Sequence, residues 1–251
     1  MTVYDVFNGD ADGICALLQL RHAEPIQSEL ITGVKRDIKL LTQVAAASGD
    51  QVNVLDVSMD KNKADVLRIL DAGASIFYCD HHVAGDIPSH PNLSALINPA
   101  ADVCTSLLIN GRLHGALSHW AIVGAFGDNL KSSAQALART TDLTNEQLVL
   151  LENLGIYINY NGYGASLADL HFEPADLYRL LSHYRNPLDF IEDDATHFNQ
   201  LENGYQDDMN KAKGADTLRS TSTSAAFLLP DEKWARRVSG VYGNDLANQY
   251  P

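Results

Sequence analysis

Short β-rich runs alternate with helical runs through the first half of the chain, and acidic residues stand just after several of the β-rich ones. VYDVF (Val3 to Phe7) reads as a strand, with a turn around Gly9 and Gly13 and then a helix carrying Ile14, Leu17 and Leu18 on one face. LITGV (Leu30 to Val34) reads as a weaker strand, followed by a helix ending near Gly49. QVNVLDV (Gln51 to Val57) is the next strand. Its helix, from about Asp60, should bury Val66, Leu67 and Leu70 and stop at Gly73, a left-handed cap. ASIFYC (Ala74 to Cys79) and SALIN (Ser94 to Asn98) complete the strands, and helical runs fill Asp102 to Leu130. Strand–helix alternation at this spacing predicts an α/β fold: a parallel sheet with helices on both faces. Ligands of such sheets sit beyond the carboxyl ends of the strands.

From Thr141 the pattern turns helical. Thr144 and Gln147 form a capping box, Pro174 opens a helix reaching Tyr184, and an amphipathic stretch runs from about Pro187 to Lys213. Glu192, Asp193 and Asp194 read as its solvated face rather than a metal site. LRSTSTSAA (Leu218 to Ala226) has linker composition, and WARRVSGVYGN alternates like an opening strand and turn. The remaining residues to Pro251 are too few for an independent core, so this segment reads as cut short.

The polar residues at the strand ends carry the chemistry. NGDADG places Asp10 and Asp12 after the first strand, Asp56 follows QVNVL, and Asp80, His81 and His82 follow SIFYC. GAFGDN adds Asp128 after an apolar, turn-like run. Each alone has a plain reading: a D-x-D-G turn caps a helix, and Asp56 or Asp128 can serve as a turn residue or cap. Together they lie at one edge of a parallel sheet, where unscreened carboxylates repel strongly unless cations intervene. Carboxylate oxygen and imidazole nitrogen suit Mn2+ or Mg2+, with Fe2+ or Co2+ also compatible. Two such ions about 3.5–4 Å apart form an in-line phosphoryl-hydrolysis centre. Cys15, Cys79 and Cys104 show neither zinc-ligand spacing nor a disulfide framework, and read as small buried residues.

NGDADG, LDVS, CDHH and GAFGD, in that order, resemble the motifs of the DHH phosphoesterases. This group includes RecJ exonucleases, nanoRNases, cyclic dinucleotide phosphodiesterases, family II pyrophosphatases and some exopolyphosphatases. The resemblance covers residues 1–190 and implies a hydrolase with two metal ions, typically Mn2+, acting on phosphodiester or P–O–P bonds. It implies Asp10 as a ligand of one ion and Asp12 of the other, Asp56 as the bridge, His81 as the imidazole ligand, and Asp128 on the first ion. His82 then contacts the phosphate, and Asp80 orients a histidine or a backbone group. The chain departs from the pattern in one place. Many members carry a histidine where Val6 stands, and RecJ-like members an aspartate where Asn8 stands. Asn8 is thus a weak ligand, a substrate contact or a turn residue, and the chain leans toward RecJ. Lys35 and Arg36, at the same sheet edge, are either phosphate contacts or a solvated helix start. The implied organisation is a DHH domain over 1–190, a helical connector and linker over 191–222, and the incomplete start of a C-terminal substrate-binding domain over 223–251.

A net charge of −14 disfavours long duplex nucleic acid. It allows a short oligonucleotide, a linear dinucleotide or another small phosphorylated substrate. Polyphosphate or pyrophosphate hydrolysis, and nucleotide binding without catalysis, are the alternatives. The chain has no membrane-spanning apolar run and no secretion-type N-terminus, which points to a cytoplasmic protein with no membrane partner. An oligomer is compatible with all of this.

Overall fold

The computed structural model describes residues 1–221 and 223–250. Five parallel strands form the central sheet: β1 (Val3–Phe7), β2 (Glu29–Ile31), β3 (Gln51–Leu55), β4 (Ser75–Asp80) and β5 (Leu93–Ile97), in the order β2-β1-β3-β4-β5. Strand order reverses at β1, and the crevice for a ligand opens beyond the carboxyl ends of β1 and β3. The pleat assigns the side chains. Tyr4, Val6, Val52, Val54, Ile76 and Tyr78 face a core shared with α2 (Met59–Asp71). Phe7, Leu55 and Cys79 face the opposite core, which α1 (Ala11–Ala23), α3 (Thr105–Arg112), α4 (Ser118–Gly127), α5 (Lys131–Ala138) and α6 (Asn145–Gly162) cover. Both faces of the sheet are therefore buried, as the sequence predicts.

The α4 helix is apolar nearly all round and sits deep among its neighbours. A Cβ on Gly127 would stand 2.3 Å from Cβ of Ala11 and 2.8 Å from the carbonyl oxygen of Gly155. Only glycine lets α4 approach α1 and α6 this closely, and the approach delivers the next residue, Asp128, to the sheet edge.

Several elements differ from the sequence reading. After β2 there is no helix running to Gly49, only a 3-10 turn over Leu40–Gln43. Distant side chains take the backbone groups a helix would have paired internally. Asn62 bonds the carbonyl of Ile38 at 2.6 Å, and Arg68 bonds those of Leu41 and Val44 at 2.9 Å each. On α2, Val66 and Leu70 are buried but Leu67 is exposed, while Gly73 takes the left-handed conformation at φ 86°. The helix α7 (Pro174–Leu181) ends before Tyr184, whose carbonyl accepts from the Trp120 indole. The stretch from Pro187 is two helices, α8 (Pro187–Asp193) and α9 (Ala195–Lys213), broken where Asp194 accepts from the backbone N–H of His197. Glu192 and Asp193 are exposed.

The C-terminal segment is corrected most. The small polar run is a hairpin of β6 (Asp216–Ser220) and β7 (Ala225–Leu228), and WARRVSGVYGN lies inside α10 (Lys233–Gln249) rather than in a strand. Ala235, Val238, Val241 and Tyr242 recur at helical spacing and are buried, the last three in a cluster shared with Tyr160 and Met209. Buried polar groups fix α10 as well: Arg237 ion-pairs with Asp208 at 2.8 Å, and both bond the Tyr160 hydroxyl. No helix among the described residues is long and apolar enough to cross a membrane.

Candidate metal centre

Each acidic residue at the sheet edge is held by an ordinary device of local structure. Asp10 follows β1 and caps α1, its Oδ1 accepting from the backbone N–H of Gly13 at 3.1 Å. Asp12 lies in the first turn of α1, and its two oxygens accept from the N–H groups of Thr105 and Ser106, both at 2.7 Å. These are unpaired donors at the start of α3, so the positive end of that helix clamps the carboxylate. Asp56 leaves β3 in the left-handed region at φ 59°, and its N–H still bonds the Cys79 carbonyl at 3.0 Å. The unusual backbone turns its side chain into the cluster instead of along the strand. Asp128 ends α4, and Asp80 is the last residue of β4.

The histidines are fixed through one ring nitrogen each. His81 Nδ1 lies 3.0 Å from the Val103 carbonyl oxygen, so it carries the proton and leaves Nε2 free. That Nε2 is 3.3 Å from Asp56 Oδ1, 3.6 Å from Asp128 Oδ2 and 3.9 Å from Asp12 Oδ2. His82 Nδ1 lies 2.7 Å from Asp80 Oδ1, and the ring is half-exposed. Ligand-type atoms of Asp12, His81 and Asp128 lie within 4.8 Å of one another, as do those of Asp56, His81 and His82.

Charge is concentrated and poorly hydrated. Burial, with Asp10, Asp12, Asp128 and Asp80 adding to it, pushes the Asp56 carboxyl well above its usual range. Burial and Asp12 push Asp128 up to about 6, against the pull of Lys35. The hydrogen bond that His82 donates to Asp80 raises His82. One Asp80 oxygen, Oδ2, is buried without a hydrogen-bond partner. A ring nitrogen lone pair facing three carboxylates is unfavourable unless a proton or a cation stands between them. Distances of 3.3–3.9 Å also match ligands sharing one ion at bond lengths of about 2.1 Å. The donors are oxygen and imidazole nitrogen. Cys15, Cys79 and Cys104 are all buried, and burial raises each thiol, which removes thiolate chemistry. The residues around His81 therefore fit a hard or borderline divalent cation.

The remaining sequence candidates separate. Lys35 enters the acidic cluster, with Nζ 2.6 Å from Asp10 Oδ2, 3.6 Å from Asp128 Oδ1 and 3.0 Å from Asn159 Oδ1. Arg36 is exposed and reaches Ser239 on α10 at 3.5 Å. Asn8 donates through its amide to the Lys35 carbonyl at 3.4 Å, and its Oδ1 is buried without a partner. The sequence reading missed Thr105, Asn159 and Tyr163. The available signal was the run of asparagines on an otherwise apolar helix, NYNG, where a buried amide needs a partner.

No family model matches the chain, and no curated protein matches it. Solved structures do. A DHH domain described as belonging to a family of ribosomal proteins superposes with a TM-score of 0.62 at 13% identity, over 99% of this chain and 69% of that one. An exonuclease RecJ bound to manganese gives 0.61 at 16% identity, over 99% and 73%. RecJ of Thermus thermophilus in complex with Mn2+ gives 0.50 at 14% identity, over 99% and 42%. The fold is that of the DHH-domain proteins.

Proposed function

We propose that the protein is a metal-dependent phosphoesterase that hydrolyses phosphodiester bonds of short oligonucleotides or linear dinucleotides. The observation that carries this reading is the convergence of Asp12, Asp56 and Asp128 on the free Nε2 of His81. Manganese, which the RecJ structures hold, is the favoured ion, with Mg2+ or Co2+ as substitutes. When bound, the ion supplies Lewis acidity toward a phosphoryl oxygen and toward the attacking water.

The chain's own residues supply the rest. His81 and the three aspartates would hold the ion, and His81 and Asp12 are already held by backbone hydrogen bonds, which limits the reorganisation needed. His82 keeps a positive charge to higher pH because Asp80 stabilises it, and its half-exposed ring is available to a phosphate oxygen. The acidic chain repels a long polyanion, so short substrates are favoured.

The test is Mn2+-dependent product release from a 5′-labelled RNA dinucleotide, a longer RNA and polyphosphate. Mononucleotides from the dinucleotide, with the longer RNA slow, are expected. Orthophosphate released from polyphosphate alone would move the activity to P–O–P bonds. Tight nucleotide binding without turnover on any substrate would replace the enzyme reading with a binding one.

A further inference from the structure

We infer that the Lys35 ammonium takes the place of one of the two metal ions implied by the resemblance, so that the centre holds one divalent cation, around His81, and one lysine. The inference rests on the metal centre proposed above and changes its composition.

The two aspartates expected on the first ion, Asp10 and Asp128, both face Lys35. Nζ lies 2.6 Å from the Oδ2 of Asp10 and 3.6 Å from the Oδ1 of Asp128. A cation bridging these carboxylates would need the gap that the ammonium fills. The other Asp10 oxygen is engaged by Gly13. Asn159 accepts from Nζ at 3.0 Å, and the Tyr163 ring lies with its centroid 5.3 Å away. An ammonium has three donors and no acceptor, and this surround of two carboxylates, an amide oxygen and an aromatic face suits it.

Lys35 is also placed by its backbone, not only by a flexible side chain. Its N–H bonds the Gly162 carbonyl at 2.9 Å at the end of α6, and its own carbonyl receives the Asn8 amide. The preceding loop lies hard against the turn that carries Asp10: a Cβ on Gly9 would stand 1.9 Å from the Gly33 carbonyl oxygen. The positions that would strengthen a first-ion site are spent differently. Val6 is fully buried in the α2-side core and offers no donor. Asn8 is neutral and tied to Lys35. With no donor at 6, a neutral amide at 8 and a cation at 35, a fixed single charge neutralises Asp10, while Asp12, Asp56 and Asp128 gather at His81.

The experiment is a Mn2+ titration of the metal-free protein by calorimetry, with electron paramagnetic resonance on the loaded protein and on Lys35→Met. One ion per chain with the spectrum of an isolated Mn2+ is expected for the native protein. Lys35→Met should gain a second ion, with the spectrum becoming exchange-coupled. Two coupled ions in the native protein would overturn the lysine substitution while leaving the phosphoesterase proposal standing. No bound ion would overturn both. A folded Lys35→Met that still takes one ion, with an unchanged spectrum, would show that Lys35 does not exclude the second. Two coupled ions in the native protein would overturn the inference even if the variant does not fold.

Discussion

The ring of His81 is pinned by a single bond, Nδ1 to the Val103 carbonyl at 3.0 Å, and that bond determines what its other nitrogen meets. With the proton committed to Val103, Nε2 faces Asp12, Asp56 and Asp128 as a lone-pair donor. His81→Ala should weaken Mn2+ binding by at least about 100-fold, since even partners behind a ligand are worth roughly 10–100-fold. Calorimetry checks this, and binding within about threefold of the native protein would remove His81 from the centre.

Asp80 and His82 form a second pair. The hydrogen bond raises His82, so its charged form is present below that raised value and is lost as pH rises through it. Asp80→Asn removes the cause. The alkaline limb of kcat should move to lower pH, while Mn2+ affinity changes less than in His81→Ala. A pH–rate profile for each protein tests this, and superimposable limbs would exclude His82 as the titrating group.

Asp128 contributes to the pH response of the metal-free protein. Its carboxyl sits at about 6 against an ordinary 3.8. A raised folded value means its contribution to stability is fully present below 3.8 and is lost as pH rises through about 6. Metal binding has the opposite sign, because the ion needs the carboxylate. The rise in Tm on adding Mn2+ should be largest near neutral pH and shrink below about 6. A Tm increment independent of pH would count against Asp128 as a ligand.

Gly9→Ala probes the turn beneath Lys35. The new Cβ meets the Gly33 carbonyl oxygen at 1.9 Å, and backbone must move on one side or the other. Overpacking of this kind costs about 1–3 kcal/mol, to be read as a lower urea midpoint with unchanged m.

Arg237→Ala tests what holds α10. It removes the strongest partner of Asp208, which is buried to 1% exposure and keeps only Lys211 at 3.4 Å as a cation. A loss on the order of 3 kcal/mol is expected, with α10 becoming the first site of proteolysis. Limited proteolysis with mass mapping reads it, and unchanged cleavage would show that apolar burial alone docks the helix.

What the sequence determined by itself was the sheet and the acids at its edge. β-rich runs placed strands at Val3–Phe7, Gln51–Val57 and Ala74–Cys79, within two residues of those observed, and parallel topology then forced Asp10, Asp12, Asp56 and His81 to one edge, because every strand ends on the same side. The Thr144 capping box was equally local, its two side chains and two N–H groups lying within one turn. Tertiary structure decided the rest, where a group's partner is far away in the chain. The segment after β2 is not helical because Asn62 and Arg68 claim its backbone groups. The strand expected near Val238 is a helix because Val238, Val241 and Tyr242 find an apolar face on α6 and α9. Lys35 could be a solvated residue or a site residue by sequence. Only the meeting of Asp10, Asp128 and Asn159, from three separate elements, turns its charge inward, since a buried ammonium persists only where counter-charges are already assembled.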